Sequence, residues 1–154
     1  MSALAARIFQ LNVSPGGVPK RAVASAALTP LGLEGDSVRH PKIHGGPTRA
    51  LCLFSLERIL ALQEEGGSLF PGALGENVTI VGLDWDRVVP GARLELGDAL
   101  VEVTSYAEPC RTTTPYVCGD RKRFQQEHRP GWSRVYASVH RTATLAPGMP
   151  VRLV

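Results

Sequence analysis

The chain has 154 residues, 44% of them hydrophobic, with 17 Lys and Arg against 14 Asp and Glu. This size and apolar content predict one domain, residues 1–154, with its own core. No run of roughly 18 apolar residues is present, which excludes a membrane-spanning helix, and the N-terminus lacks a signal-peptide pattern, which predicts a cytoplasmic protein. The net charge of +3 is dispersed and has no aromatic series beside it, which argues against nucleic-acid binding.

Short strands separated by Gly and Pro dominate the predicted secondary structure. Strands are predicted at residues 6–13, 21–28 and 50–54. Ser55 is expected to cap a helix that ends at Gly66-Gly67. The apolar residues predicted on one face of this helix are Leu56, Ile59, Leu60 and Leu62.

The second half of the chain continues the β pattern. Strands are predicted at 77–81, 133–139 and 150–153, a short helix at 121–128, and a hairpin of 92–96 with 99–104 around Gly97-Asp98. Many short strands in one domain favour a mainly β fold, a closed or partly closed β-barrel with a few short helices. The long loops 31–49, 71–77 and 107–131 are the expected places for function.

Three cysteines, Cys52, Cys110 and Cys118, form an odd set without a repeated spacing, so we expect reduced thiols and no disulfide framework. Cys52 stands in an apolar run and is predicted to be a core residue. Zinc is not expected, because the spacing of Cys110 and Cys118 to His128 and His140 matches no usual ligand set.

The first long loop contains a candidate anion site. The amides of Gly45 and Gly46 could line it, with His44 and Arg49 as adjacent donors. An alternative is that the glycines form only a turn, with Asp36 as its local hydrogen-bond partner.

The second loop places Glu76 and Asn77 directly before an apolar strand. Side chains of this type at a strand start usually form a turn. Glu76 is alternatively a proton relay or a group that orients a ligand.

Cys110 follows a strand and begins a basic, hydroxyl-rich loop. The charge of Arg111 favours a thiolate beside it, and Thr112 with the two following threonines offers hydroxyls for oxyanions or polar heterocycles. From the residues alone Cys110 is a soft-metal ligand, a nucleophile working with His44 and Asp36, or a small buried hydrophobe.

Five segments of the chain together resemble the MOSC domain family, the molybdenum cofactor sulfurase C-terminal domain, in its small free-standing bacterial form. They occur in the family's order, and they are residues 32–36 (GLEGD), 44–50 (HGGPTRA), 71–79 (PGALGENVT), 109–110 (PC) and 131–135 (GWSRV). Each segment alone is a weak motif, but five in order are a specific pattern.

The resemblance implies a β-barrel core and the molybdenum cofactor, in which the dithiolene sulfurs of molybdopterin hold the metal. It implies that Cys110 is both a catalytic residue and the protein ligand of molybdenum, a soft-ligand pairing that makes chemical sense. Glu76 is the second implied catalytic residue. The implied cofactor-binding residues are Asp36, His44, Gly45, Gly46, Arg49, Asn77, Arg111, Thr112 and Arg134.

By the same resemblance the protein is an oxidoreductase that reduces small N-hydroxylated compounds with electrons from an external donor protein. The main alternative is a carrier of sulfur or of the cofactor without turnover, and a third is a β-barrel binding module that has lost the cofactor. Pyridoxal phosphate is not expected, because the separate domain that binds it in larger sulfurases does not fit in 154 residues. Exposed edge strands permit a homodimer without requiring one.

One position departs from the family pattern. Relatives of this size often carry a basic residue shortly before the Pro-Cys pair, whereas this chain has Ala107 and Glu108 there. A negative charge near the implied cofactor site is the expected consequence.

Overall fold

The structure is a computed structural model that describes residues 5–37 and 45–154. Within these ranges the chain forms eleven strands, one α-helix and four short 3-10 helices. The strands are β1 (Arg7–Val13), β2 (Arg21–Val23), β3 (Ala26–Thr29), β4 (Gly32–Leu33), β5 (Leu51–Ser55), β6 (Val78–Val81), β7 (Arg93–Leu96), β8 (Ala99–Tyr106), β9 (Val135–Arg141), β10 (Thr144–Leu145) and β11 (Val151–Leu153). The α-helix is α1 (Leu56–Glu64), and the 3-10 helices cover Pro47–Arg49, Trp85–Arg87, Arg111–Val117 and Arg121–Phe124.

The strands form two sheets. The larger has eight strands in the order β11-β7-β8-β9-β5-β6-β1-β2, and the smaller has the order β10-β3-β4. In the larger sheet β5 and β6 are parallel, and α1 lies in the connection between them, as a parallel pair requires a crossover. The other strand pairs of the two sheets are antiparallel.

The mainly β fold with few short helices is confirmed, whereas a closed barrel is not. The larger sheet ends at β11 and β2, and no ladder joins these two strands in the described structure. One isolated bridge pairs Arg7 with Pro150, and the amide of Ile8 donates to the carbonyl of Met149 at 2.9 Å. These contacts connect the start of β1 to the segment before β11 without completing a ladder.

The α-helix begins as predicted. Ser55 is its N-cap, and its Oγ accepts a hydrogen bond from the amide of Arg58 at 3.2 Å. Ile59 and Leu62 are buried, but Leu60 is 49% exposed, so its predicted place on the buried face is wrong. Successive residues of an α-helix are rotated by about 100° around its axis, so Leu60 lies on a different face from Ile59 and Leu62.

Other elements differ in extent from the sequence prediction. The predicted strand 21–28 is divided into β2 and β3, and the predicted helix 121–128 is a single 3-10 helix, Arg121–Phe124. The chain after Cys110, expected as a loop, forms the 3-10 helix Arg111–Val117. Within the ranges above, no helix is long and apolar enough to cross a bilayer.

Strand β5 positions the core and the site together, because all five of its residues are buried. Leu51 and Leu53 belong to the main hydrophobic core. Cys52, between them, packs instead in a separate small cluster with Ala107 and Tyr136. Cys52 and Tyr136 of this cluster also border a cavity.

Candidate functional site

A cavity of about 730 Å³ lies beyond the end of β8 and beside the first residues of β5, β6 and β9. This volume falls in the range of small-molecule sites, roughly 300–1,000 Å³. The structure brings most of the predicted site residues to its wall, and these are Asp36, Gly45, Gly46, Arg49, Asn77, Cys110, Arg111, Thr112 and Arg134. A second cavity of about 230 Å³ around Trp85 and Val88 contains none of them.

The other two predicted residues are His44 and Glu76. His44 lies outside the described residues, so its predicted roles stay predictions. Glu76 is fully buried, with Oε2 accepting from Thr79 Oγ1 at 3.1 Å, and it does not line the cavity. Burial raises the pKa of its carboxyl, which favours the protonated form. A catalytic role for Glu76 stays a prediction.

Two neighbouring strands, β9 and β5, and the residue before β6 contribute one row of residues to the cavity wall. Tyr136 of β9 stands opposite Cys52 of β5 in the antiparallel register. On the other side of Cys52, the amide of Asn77 donates to the Cys52 carbonyl at 2.7 Å, and the Cys52 amide donates to Asn77 Oδ1 at 3.0 Å. Asn77 therefore takes a place in the sheet before β6 begins.

Cys52 and Tyr136 are site residues that the sequence prediction missed. Cys52 is buried, as predicted for a core residue, yet its side chain also borders the cavity. Burial raises the pKa of the Cys52 thiol to about 11 and that of the Tyr136 phenol to about 12, so both groups stay neutral near pH 7. The guanidinium of Arg49 lies 5.2 Å from the centre of the Tyr136 ring, within cation–π range.

The Asp36 carboxylate joins three segments at the cavity wall. It accepts hydrogen bonds from Lys20 Nζ at 2.7 Å and 2.8 Å, from Asn77 Nδ2 at 2.9 Å and from the Ser14 amide at 2.9 Å. Lys20 is a further wall residue that the sequence prediction missed, because nothing local to it in sequence indicates its partner. These bonds make Asp36 more than the local turn residue of the alternative interpretation.

Cys110 is held at the start of the 3-10 helix that follows β8. Its carbonyl accepts from the Thr113 amide at 3.0 Å and from Thr113 Oγ1 at 2.6 Å, and its Sγ lies 2.9 Å from Thr112 Oγ1. The residue is half-buried and borders the cavity, so the thiol is reachable by a ligand there. Cys118, at the other end of this helix, is exposed and lies away from the cavity wall.

Arg134 ties the Cys110 segment to the 71–77 loop. It is 5% exposed, and its Nη1 donates to the Leu74 carbonyl at 2.7 Å while Nη2 donates to the Glu108 carbonyl at 3.0 Å. Its guanidinium lies 5.2 Å from the centre of the Phe124 ring, and its Nε has no hydrogen-bond partner in the described structure. Arg134 is thus a buried cation at the cavity wall, and its Nε–H group makes no hydrogen bond in the described structure.

The charges around the cavity favour an anionic ligand. No ion pair joins Arg49, Arg111 or Arg134 to a carboxylate of residues 5–37 or 45–154. The remaining residues, 1–4 (MSAL) and 38–44 (VRHPKIH), contain no Asp or Glu. Glu108 is at the wall as the sequence suggested, but it is exposed and its carboxylate accepts from Gln125 Nε2 at 2.9 Å. An unpaired buried cation is costly, so a bound anion would stabilise this wall.

This fold and cavity define a small mainly β protein whose ligand site combines a reachable thiol with unpaired arginines. The model of the MOSC domain family matches residues 40–152, and the chain belongs to that family. The family is associated with the molybdenum cofactor.

Named relatives agree with this assignment. Protein YiiM of Escherichia coli (strain K12) is 39% identical over 87 residues, which are 54% of this chain and 39% of that protein. The uncharacterized protein YflK of Bacillus subtilis (strain 168) is 29% identical over 140 residues, 90% of this chain and 63% of that protein. The matches thus span less than two thirds of either relative. The crystal structure of YiiM from Geobacillus stearothermophilus superposes with a TM-score of 0.70 at 26% identity, covering 97% of this chain and 75% of that one.

The residues present fit the molybdenum cofactor. Across the described ranges, no group of three or more His, Cys, Asp or Glu side chains is placed to share a metal ion. A metal that brings its own dithiolene sulfurs needs only one soft ligand from the protein, and Cys110 offers it. The Arg134 Nε without a partner and the exposed guanidiniums of Arg49 and Arg111 are suited to the phosphate of the pterin.

Proposed function

We propose that this protein binds the molybdenum cofactor in the cavity at Cys110 and reduces N-hydroxylated compounds with electrons from an external donor protein. The observation that carries the proposal is the half-buried Cys110 thiol on the wall of a 730 Å³ cavity that also contains three arginines without carboxylate partners. A thiol alone is a common feature, whereas this combination suits a soft metal on an anionic carrier.

Each part of the wall has a role toward the cofactor. Cys110 would be the thiolate ligand, held in place through its carbonyl by Thr113. Arg49 and Arg111 would bind anionic groups at the rim, and Arg134 would do so from within the wall while fixing the two loops. When bound, the cofactor would supply the two-electron redox chemistry.

Asp36, Asn77 and Lys20 border the cavity and bond to one another. Lys20 and Asp36 neutralise each other at 2.7 Å, so neither adds net charge to the cavity. Asn77 uses its side-chain oxygen on the Cys52 amide and its nitrogen on Asp36, which fixes the start of β6 beside β5 and against the first long loop. These residues hold the shape of the site and bind no ligand group in this proposal.

The proposed reaction balances with two electrons and two protons. In an N-hydroxylated substrate R-NHOH the N–O bond breaks, and the products are the amine R-NH2 and water. The electrons come from the donor protein and the protons from solvent. Three free cysteines in the described structure agree with a reducing compartment such as the cytoplasm.

The decisive experiment uses the three cysteines as matched positions. The wild type and the variants Cys110→Ala, Cys52→Ala and Cys118→Ala are purified from a host that makes the cofactor, and molybdenum and pterin are measured per chain. We expect stoichiometric molybdenum in the wild type and in Cys118→Ala, and its loss in Cys110→Ala. Cys52→Ala tests whether the second thiol at the cavity contributes.

Turnover then separates an enzyme from a carrier. Each protein is assayed for reduction of a hydroxylaminopurine with an artificial electron donor. Molybdenum with turnover supports the oxidoreductase, and molybdenum without turnover on any N-hydroxylated compound supports the carrier alternative. Full metal content in Cys110→Ala, or none in the wild type from a competent host, would contradict the proposed site.

A further inference from the structure

Two consecutive threonines contact Cys110 in different ways. Thr113 is fully buried and uses both its amide and its hydroxyl on the Cys110 carbonyl. Thr112 is exposed at the cavity wall, and its Oγ1 lies 2.9 Å from Cys110 Sγ. The first contact fixes the backbone of Cys110, and the second reaches the sulfur atom itself.

The direction of the Thr112 contact follows from the state of the sulfur. In the free thiol either the S–H or the O–H can donate. A sulfur that ligates a metal is a thiolate without a proton, so it can only accept. The Thr112 hydroxyl would then be the donor, and no other hydrogen bond of its side chain competes for it within the described ranges.

A hydrogen bond to a metal-bound thiolate changes the metal as well as the ligand. The donor withdraws electron density from the sulfur, which then donates less to the metal. Hydrogen bonds to ligating sulfurs are among the features that set reduction potentials in metalloproteins. The 3-10 helix places this donor beside Cys110 before any ligand binds, so the effect needs no rearrangement.

We propose that Thr112 is a positioning residue whose hydroxyl donates to the Cys110 sulfur and raises the reduction potential of the metal bound there. This inference rests on the proposed function, because it requires Cys110 to be the ligand. The three adjacent threonines differ in their contacts with Cys110. Thr112 contacts its sulfur, Thr113 donates to its carbonyl, and Thr114 makes neither contact in the described structure.

The test uses the cofactor-loaded protein and three variants. Thr112→Val removes the hydroxyl while keeping the side-chain shape, Thr112→Ser restores a hydroxyl, and Thr114→Val makes the same change elsewhere on the same helix. For each, molybdenum per chain and the melting temperature are measured first. The midpoint potential of the molybdenum is then determined by redox titration followed by electron paramagnetic resonance.

We expect a lower midpoint potential for the molybdenum that Thr112→Val binds, with a melting temperature close to that of the wild type. Thr112→Ser should return the potential toward the wild-type value, and Thr114→Val should leave it unchanged. An unchanged potential in a fully loaded Thr112→Val protein, or an equal shift in Thr114→Val, overturns the inference while leaving the proposed function intact. A wild type without molybdenum overturns both, and the metal analysis shows this before any titration.

Discussion

Lys20 Nζ lies 2.7 Å and 2.8 Å from the two carboxylate oxygens of Asp36, and the two side chains are only 8% and 11% exposed. The two charged groups therefore have little contact with water. Their attraction is weakly screened, and removing either partner would leave the other charge buried without a counter-charge. The pair joins the segment before β2 to the loop after β4, next to Asn77.

Breaking this pair is expected to destabilise the fold strongly. Asp36→Asn leaves the Lys20 ammonium buried without a counter-charge, which should lower the free energy of unfolding by about 3–5 kcal/mol. Glu95→Gln is the matched control, because its ion pair with Arg152 is exposed, and it should cost less than ~1 kcal/mol. Urea unfolding at pH 7 gives both values. Equal losses in the two variants would contradict a buried pair.

The buried Glu76 carboxyl is expected to make stability pH-dependent. Its pKa is raised by burial, so the folded protein keeps the proton where the unfolded chain, with a pKa near 4.5, has released it. The stability that this group contributes is complete below the unfolded pKa of about 4.5. It falls as the pH rises from there through the higher pKa of the folded state. Glu76→Gln mimics the protonated form and should gain stability relative to the wild type as pH increases from 5 to 8.

Urea unfolding at several pH values measures this gain. Glu34→Gln, which removes an exposed carboxylate, controls for the change in net charge. Parallel pH profiles of the wild type and Glu76→Gln would show that the carboxyl is ionised in the folded state.

Arg134 is expected to be irreplaceable by lysine. Its two nitrogens reach the Leu74 and Glu108 carbonyls at once, whereas one ammonium cannot match this fork. Arg134→Lys should lose about 1.5–3 kcal/mol and accelerate amide exchange around Cys110. Arg141→Lys, at an exposed arginine with one bond to the Asp98 carbonyl, should change stability by no more than ~0.5 kcal/mol. Similar amide-exchange rates around Cys110 in the two variants would contradict the role of Arg134 in joining the two loops.

Two glycines of the GLEGD segment allow the free-energy cost of a steric clash to be distinguished from that of a strained backbone. Gly32 and Gly35 have φ values of 128° and 91°, but a Cβ on Gly32 would lie 2.6 Å from the Ala50 carbonyl oxygen, and one on Gly35 would meet nothing within 4 Å. Gly35→Ala should cost about 1–2 kcal/mol for the strained backbone, and Gly32→Ala about 1–3 kcal/mol more. Thermal unfolding of both variants checks the difference, and equal melting temperatures would contradict it.

Local chemistry explains which parts of the fold could be predicted. Ser55 caps a helix, and Gly97-Asp98 closes a hairpin between β7 and β8, because each feature depends on residues adjacent in sequence. The division of 21–28 and the two-residue strand β4 depend on pairing with distant segments, which periodicity does not reveal.

The same distinction applies to the site. Motif residues such as Arg49, Asn77 and Cys110 were identified by their order along the chain, and the fold places them at one cavity. Cys52 was not assigned there, because a strand buried on both faces has no polar alternation to mark the side that meets a cavity. Lys20 was missed for a different reason: its partner is 16 residues away, and only the folded chain brings them together.

The row of Tyr136, Cys52 and Asn77 has a consequence for when the cavity exists during synthesis. β9 lies between β8 and β5 in the sheet but follows both in sequence, so a nascent chain that has not yet released β9 lacks Tyr136, at one end of this row, and the strand that joins β5 to β8. A ligand of this cavity therefore finds no complete wall until β9 has left the ribosome. A ligand that binds only the finished structure adds its binding free energy to stability.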